Sequence, residues 1–252
     1  MSYLLKPIQK NLLKQKASWL LLSISLFPLF LILASFFDTN FMQLEGAEQS
    51  LSALDFISAI VYTQHQFIFP FIILAFIAST LFYDEIVSGR LIIFKDTPKK
   101  KILNAKRVAV YVLYIVYFLS LIATATITYY IYIQKLPIAS NSFFPLENDE
   151  LIRISLEIFG YFLAELVGLS IALTVSIKLT SGYTILVTIF YQILSIVAPS
   201  LKTLKYLFPN GYIGLYKDIE IQYIVLIMLV ITGLSLIISK QIAKKLFQEI
   251  EY

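Results

Sequence analysis

Two carboxylates within one long apolar stretch are the first candidates for chemistry in this sequence. Glu165 lies deep in the stretch that runs from about residue 154 to 177, and Glu157 lies nearer its start. A charged side chain at the centre of a bilayer costs about 2.5–3.5 kcal/mol on insertion scales, so such a group is expected to face a bundle interior or a wet cavity. Glu165 is therefore the best single candidate for a functional residue. Its alternative role is a protonated or paired side chain in the packed bundle, whereas Glu157 could simply reach water.

Further polar side chains occur at the start of one apolar stretch and inside another. The run Thr63–Gln66 precedes an apolar segment, where it marks either the outer membrane interface or the mouth of a substrate path. Tyr191 and Gln192 interrupt a later apolar segment and have the same two interpretations. The candidates for a substrate path are Gln66, Glu157, Glu165, Tyr191 and Gln192.

The residue types that most enzymes need are scarce. The chain has no cysteine and a single histidine, His65, which has no acidic residue at metal-ligand spacing in the sequence. It contains neither an HExxH nor a GxSxG motif, and none of its eight glycines is followed by lysine, so there is no P-loop. We therefore predict no catalytic residue, no metal site and no ATP-binding site in this chain.

Composition indicates the solvent that surrounds most of the chain. Of the 252 residues, 59% are hydrophobic and 14% are charged, whereas soluble domains carry about 25% charged residues. A transmembrane helix needs about 20 apolar residues, because roughly 30 Å is crossed at about 1.5 Å per residue. Six segments meet this requirement: 17–37, 67–83, 108–134, 154–177, 184–201 and 223–239. The sequence predicts an all-α integral membrane protein with six transmembrane helices in a single domain, 1–252.

Basic residues are unevenly distributed between the two sides of these predicted spans. Fifteen of the 20 Lys and Arg residues flank the spans on the side of the N-terminus. Because loops rich in Lys and Arg stay in the cytoplasm, both termini and the loop 84–107 are predicted to be cytoplasmic. The predicted location is the plasma membrane, with the segment 202–222 outside the cell.

The first 16 residues are too polar to cross a membrane but have the pattern of an amphipathic helix. Leu4, Leu5, Ile8 and Leu12 share one helical face, and lysines lie opposite. This pattern favours an interfacial helix, 1–16, with its lysines towards anionic headgroups. The alternative is an ordinary basic flank that only sets the topology.

The loop 84–107 gathers charge between two apolar segments. It holds seven basic and three acidic residues, interspersed with apolar residues that a purely solvated connector would not need. The stretch 83–94 predicts a short helix that bends near Gly89, and Pro98 predicts the start of a helix that runs into the third span. An apolar patch ringed by charge is typical of a docking surface for a protein. The alternative is a loop that sets topology through its lysines.

Small residues recur at every fourth position of the fourth predicted span. This spacing places them on one face of a helix, where they let another helix approach closely, since association in lipid depends on packing. The stripe consists of Gly160, Ala164, Gly168, Ala172 and Ser176. We predict a structural packing role for it.

The charged loop resembles the first cytoplasmic loop of the permease subunits of type-2 ATP-binding-cassette exporters. That family has an acidic residue after the second span, a glycine before an apolar run, a proline, a basic cluster and a lysine that leads into the third span. The matching residues are Glu85, Gly89 with Leu91–Phe94, Pro98, Lys99–Lys101 and Lys106. The layout is similar too, with an interfacial N-terminal helix, six spans and an irregular outer segment between spans five and six.

The resemblance implies a function and a set of partners. In the family this loop holds a coupling helix that fits into a cleft of a separate ATPase subunit. Two ATPase subunits would bind ATP and Mg, and this chain would bind no cofactor. The residues implied in ATPase coupling are Asp84, Glu85, Gly89, Arg90, Pro98, Lys99, Lys100 and Lys101. A second permease copy or a sister permease would complete the path, and no nucleic acid is expected.

The resemblance extends to a class of cargo. In size and composition the chain most resembles permeases of Gram-positive bacteria that export, or protect against, amphipathic or antimicrobial peptides. The alternative functions are an ATP-independent membrane channel or a scaffold protein. Neither of these would need an ATPase partner or an apolar docking patch.

Overall fold

The computed structural model describes residues 2–34, 36 and 48–250 of the chain. Within these residues the regular structure is helical and contains no strand beyond one isolated bridge between Leu51 and Ala139. The predicted all-α class is thereby confirmed for the described part. The α-helices are α1 (Ser2–Lys14), α2 (Lys16–Ile24), α3 (Leu29–Ala34), α4 (Ala53–Gln66), α5 (Phe69–Leu81), α6 (Tyr83–Val87), α7 (Lys99–Ile131), α8 (Asn148–Val175), α9 (Ser181–Val197) and α10 (Ile221–Gln248).

Five helical stretches of the described residues are long and apolar enough to cross a membrane. They are Phe69–Val87, Lys99–Lys135, Asn148–Val175, Ser181–Ser200 and Ile221–Gln248. They coincide with the second to sixth predicted spans. α7 and α10 extend beyond their apolar runs at the lysine-rich ends, because lysine is a good helix former and nothing there interrupts the helix.

The first predicted span, 17–37, is not one continuous helix in the described residues. α2 ends at Ile24, a turn follows, and α3 begins only at Leu29. Pro28 explains this break, because proline has no amide hydrogen to donate and its ring would clash with the carbonyl four residues earlier. Positions 35 and 37 of this span lie outside the described residues, so the first span stays a prediction.

A helix that the sequence analysis did not predict precedes the second span. α4 begins at a capping box, in which the Asp55 amide donates to the Ser52 hydroxyl (3.2 Å) and the Ser52 amide donates to the Asp55 carboxylate (3.0 Å). The polar run Thr63–Gln66 is the last turn of α4 and not the first turn of the span. Pro70 stands in the first turn of α5, where a missing amide hydrogen costs nothing.

α8 is the central helix of the bundle and packs against α4, α5, α9 and α10. A Cβ atom on Gly168 would lie 2.6 Å from ring atoms of both Phe71 and Tyr191, so the missing side chain lets α5 and α9 approach α8 closely. A Cβ atom on Gly160 would lie 3.1 Å from a side chain of the 3-10 segment 209–215. The buried small residues of this face are Gly160, Ala164, Gly168, Ala172 and Ser176.

The amphipathic N-terminal segment forms α1, which packs against α7. Leu4, Ile8 and Leu12 are buried, whereas Lys6 and Lys10 are exposed. The apolar face of α1 is therefore covered mainly by the protein itself. Its position at a membrane interface stays a prediction.

The predicted outer segment, 202–222, consists mainly of 3-10 turns that fold back onto the bundle, and its last two residues begin α10. Asn210 is buried, and its side-chain amide donates to the carbonyl of Ser195 on α9 at 2.8 Å. A Cβ atom on Gly211 would lie 2.0 Å from the Lys205 carbonyl oxygen, so only glycine fits this turn. These contacts close one end of the bundle.

Candidate functional site

Residues 83–98, here called the charged segment, form a compact element with an exposed apolar patch. α6 ends at a turn in which Gly89 has a φ angle of +68°, a left-handed conformation that suits glycine. A 3-10 helix, Arg90–Phe94, follows and leads towards α7. Val87, Ile92 and Ile93 are 67%, 56% and 77% exposed. The segment thus presents three aliphatic side chains to its surroundings.

A buried ion pair ties the charged segment to α7. The Lys106 ammonium donates to Glu85 Oε2 and to the Leu81 carbonyl oxygen, each at 2.7 Å. It also lies 5.3 Å from the centre of the Phe82 ring. The Lys106 side chain is only 1% exposed, and that of Glu85 is 13% exposed. The two residues that the family resemblance places at opposite ends of the loop are therefore direct partners.

The other residues predicted for ATPase coupling fall into two groups. Lys99 is engaged inside the chain, because its ammonium donates to the carbonyl oxygens of Gln248 (3.1 Å) and Ile250 and so caps the end of α10. Asp84 is half-buried at the start of α6. The exposed group consists of Gly89, Arg90, Pro98, Lys100 and Lys101.

Arg107 is a second buried cation at the base of α7, and the sequence analysis did not single it out. Its guanidinium donates to the hydroxyls of Thr174, Ser239 and Tyr111, each at 3.1 Å. These bonds join α7 to α8 and α10. Arg107 therefore links three helices through hydrogen bonds to neutral hydroxyl groups, at the end of the bundle where α7 begins.

A second group of polar side chains lies in the core between α4, α7, α8 and α9. The Tyr114 hydroxyl donates to Glu165 Oε2 at 2.8 Å, and the Tyr117 hydroxyl donates to Gln64 Oε1 at 3.0 Å. The Tyr191 hydroxyl donates to the Ala164 carbonyl oxygen at 2.8 Å. We call this group the polar cluster; its members are Gln64, His65, Tyr114, Tyr117, Glu165, Tyr191 and Gln192, all buried.

His65 and Glu165 bring two ionisable groups together in this cluster. The imidazole Nδ1 lies 3.6 Å from Glu165 Oε1 and 3.2 Å from Gln192 Nε2, which also donates to the His65 carbonyl oxygen at 2.7 Å. Among the described residues no Lys or Arg pairs with Glu165. His65 Nε2 and Gln192 Oε1 have no hydrogen-bond partner in the described part of the chain.

The structure brings three of the five predicted path residues together. Glu165, Tyr191 and Gln192 belong to the polar cluster, whereas Gln66 is exposed and Glu157 lies in a cavity nearer the start of α8. Gln64 and His65 were named from the sequence only as part of the run Thr63–Gln66, with the mouth of a substrate path as one of its two interpretations. Tyr114 and Tyr117 were not predicted. They carried a usable signal, since residues three apart share a helix face.

The cavity beside Glu157 lies between α4 and α8 and has a volume of about 550 Å³. Glu157 accepts from Arg153 (2.5 Å) and from the Ser58 hydroxyl (2.8 Å). Tyr62 and Tyr161 form one wall, with ring centres 5.6 Å apart. The Tyr161 ring also packs against the imidazole of His65 with centres 4.7 Å apart, so it separates the cavity from the polar cluster.

Among the residues that the structure describes, no three or more His, Cys, Asp or Glu side chains are arranged so that they could hold a metal ion. Comparisons of the chain with protein-family models, with curated proteins and with solved structures find no match.

Fold and site together define an all-α protein with at least five helices able to span a membrane. This protein carries a charged segment at one end of the bundle, a polar cluster in the core and a polar cavity towards the other end.

Proposed function

We propose that this chain is the permease subunit of an ATP-driven exporter of the type-2 ATP-binding-cassette kind. In this proposal six helices cross the plasma membrane, and both termini are cytoplasmic. Two separate ATPase subunits bind ATP and Mg, and a second permease copy or a sister permease completes the path. The cargo is amphipathic or hydrophobic, with a peptide as the preferred class. The observation that carries the proposal is the exposed apolar patch on a charged segment that a buried ion pair fastens to the bundle.

The patch has the composition of a protein-docking surface. Val87, Ile92 and Ile93 would each lose unfavourable contact with water on burial, at roughly 1.5–3 kcal/mol per fully buried side chain. Arg90 and Lys100 are exposed near this patch along the chain and supply charge for orientation. A patch that only set topology would not need the aliphatic side chains.

The anchoring of the segment explains how a partner's movement would reach the membrane. α6 follows α5 directly, and the Glu85–Lys106 pair fixes α6 to the start of α7. A force applied to the segment therefore acts on α5 and α7 together. In the proposed cycle, closure of the ATPase subunits moves these two helices and changes the side on which the path is open.

The test is to co-express the tagged chain with the cassette ATPase encoded nearest to it and to measure co-purification and ATP turnover. We expect the wild-type chain to retain the ATPase and Ile93→Glu to lose it, because the new charge would be buried at the interface. Leu146→Glu is the matched control, since Leu146 is 88% exposed and lies between α7 and α8 at the far end of both helices.

Two outcomes would contradict the proposal. One is an intact complex with unaltered ATP turnover in the Ile93→Glu variant. The other is protease cleavage of the charged segment from outside intact cells, which would place the segment on the wrong side of the membrane for an ATPase.

A further inference from the structure

We propose that the cavity between α4 and α8 binds a primary ammonium group carried on an apolar chain. As a site for cargo it rests on the export function proposed above, but the binding itself does not. The cavity volume of about 550 Å³ lies within the range of roughly 300–1,000 Å³ usual for small-ligand sites. It would hold one basic side chain or a small amine and not a whole folded peptide.

The charge of the lining determines the sign of the ligand. Three carboxylates, Asp55, Glu150 and Glu157, line the cavity together with one guanidinium, that of Arg153. This leaves a formal excess of two negative charges. Arg153 engages one oxygen of Glu150 (3.1 Å) and one of Glu157 (2.5 Å), so the second oxygen of Glu150 remains available to a ligand.

The remaining lining selects an organic cation over a metal ion. A calcium or magnesium site needs several oxygen ligands that converge on one point, and the described residues form no such group of acidic side chains. The paired rings of Tyr62 and Tyr161 offer aromatic faces, which attract ammonium groups. Leu51, Ala59 and Ile154 provide apolar surface for the chain that carries the charge.

The line of polar groups continues inward behind the aromatic wall. Tyr161 lies between the cavity and His65, and the Nε2 atom of His65 is fully buried without a partner among the described residues. His65 in turn lies 3.6 Å from Glu165. An ammonium group that passed Tyr161 would therefore meet a fourth carboxylate, that of Glu165, deeper in the bundle. A solvated surface network of ion pairs would have no such continuation.

The probe for this site is n-butylammonium, with n-butanol and butyrate as matched neutral and anionic probes. Binding to the full-length chain, purified in the uncharged and amine-free detergent dodecyl maltoside, is measured by saturation-transfer NMR with empty micelles subtracted. We expect saturable binding of n-butylammonium only. The variant Glu150→Gln/Glu157→Gln should weaken it about tenfold or more, because it removes both excess negative charges.

Two single variants keep the test decisive even if the double variant does not fold. Arg153→Gln should tighten binding several-fold, since it removes the competing cation, and a merely structural role for Arg153 predicts no such gain. Asp149→Asn, an exposed change of the same charge on the same helix, should leave binding unchanged.

Competition by phosphatidylethanolamine added to the micelles would assign the ammonium group to a lipid. Absence of competition would assign it to a water-soluble amine.

The proposal is overturned if n-butylammonium binds no better than n-butanol, or if Arg153→Gln weakens binding. It is also overturned if Ca²⁺ or Na⁺ displaces the probe at concentrations below the probe's own dissociation constant. These measurements use the chain without an ATPase. A failure here therefore leaves the ATPase-coupling proposal standing, and a failure of co-purification leaves the ammonium site standing.

Discussion

The ion pair between Glu85 and Lys106 offers the sharpest test of how the charged segment is held. The perturbation is a double-mutant cycle of Glu85→Gln, Lys106→Met and both together. Methionine has a similar length to the lysine stem and carries no charge, so it fills the same space. The measured quantity is the free energy of unfolding of the purified chain.

The expected magnitudes follow from the exposure of each partner. Glu85→Gln leaves a 1% exposed ammonium with neutral partners alone, namely the new amide oxygen, the Leu81 carbonyl oxygen and the Phe82 ring. Removing the countercharge of a buried pair in this way costs about 3 kcal/mol or more. Lys106→Met leaves a carboxylate that is 13% exposed and can reach water, so we expect a cost of about 1–2 kcal/mol. The double variant should cost no more than about 1–2 kcal/mol, because no charge remains buried alone.

The cycle therefore predicts a coupling energy of at least about 2 kcal/mol, which is large for two residues in contact. Reversible unfolding by SDS, followed by far-UV circular dichroism, supplies the free energies. Lys101→Met is the control, since Lys101 is exposed on the same helix and its loss should change stability by no more than about 0.5 kcal/mol. Single-variant effects that simply add within about 0.5 kcal/mol would refute the account of the pair as the anchor of the segment.

Three further predictions concern packing, the polar cluster and the turn. Gly168→Ala should destabilise the bundle by about 1–3 kcal/mol, because its Cβ atom would press on two aromatic rings. Gly182→Ala is the control and should not destabilise the bundle, since nothing lies within 4 Å of a Cβ atom there. Thermal unfolding of the two variants measures the difference. Glu165→Ala should be less stable than Glu165→Gln by about 1–3 kcal/mol in the same assay, because only glutamine retains an acceptor for the buried Tyr114 hydroxyl. Gly89→Ala should weaken ATPase co-purification more than Gly89→Asn, since asparagine tolerates a positive φ angle better than alanine does. Equal losses in the two variants would show that the φ angle of residue 89 is not the cause.

Most of the helices that are long and apolar enough to span a membrane could be predicted, because their signal is local. Long apolar runs with no proline in their interior form helices, and the second to sixth predicted spans show this, since Pro70 and Pro199 stand at the ends of their runs. The break at Pro28 could have been predicted from the same reasoning, since proline within an apolar run interrupts the helix. α4 was missed because its 14 residues are too few to span a membrane and its last turn is polar. Its Ser52–Asp55 capping box was the available signal.

The polar cluster could be predicted only in part, because its contacts join residues far apart in sequence. Glu165 was identified from the cost of a charge in an apolar stretch, which can be judged without knowing which residue contacts it. His65 lies 100 positions earlier in the chain, and only the packing of α4 on α8 brings it within 3.6 Å of Glu165. The contact of Lys99 with the end of α10 could not be predicted for the same reason. The family resemblance implied Lys99 in ATPase coupling, and its ammonium donates to the carbonyl oxygen of Gln248, 149 positions later in the chain.

α7 connects the charged segment to the polar cluster as one continuous helix. Its residues Lys99–Ile131 include no proline or glycine, so a displacement at Lys106 is transmitted along the helix to Tyr114, about 12 Å away at 1.5 Å per residue. The Tyr114–Glu165 hydrogen bond measures 2.8 Å, and a shift that lengthens it by about 1 Å breaks it, because such bonds are lost beyond roughly 3.5 Å. Movement of the segment by an ATPase would then release the Glu165 carboxylate within the core. 3-Fluorotyrosine incorporated in place of Tyr114 should show a changed ¹⁹F resonance when ATP is added to the complex, and an unchanged resonance during active turnover would rule out this route.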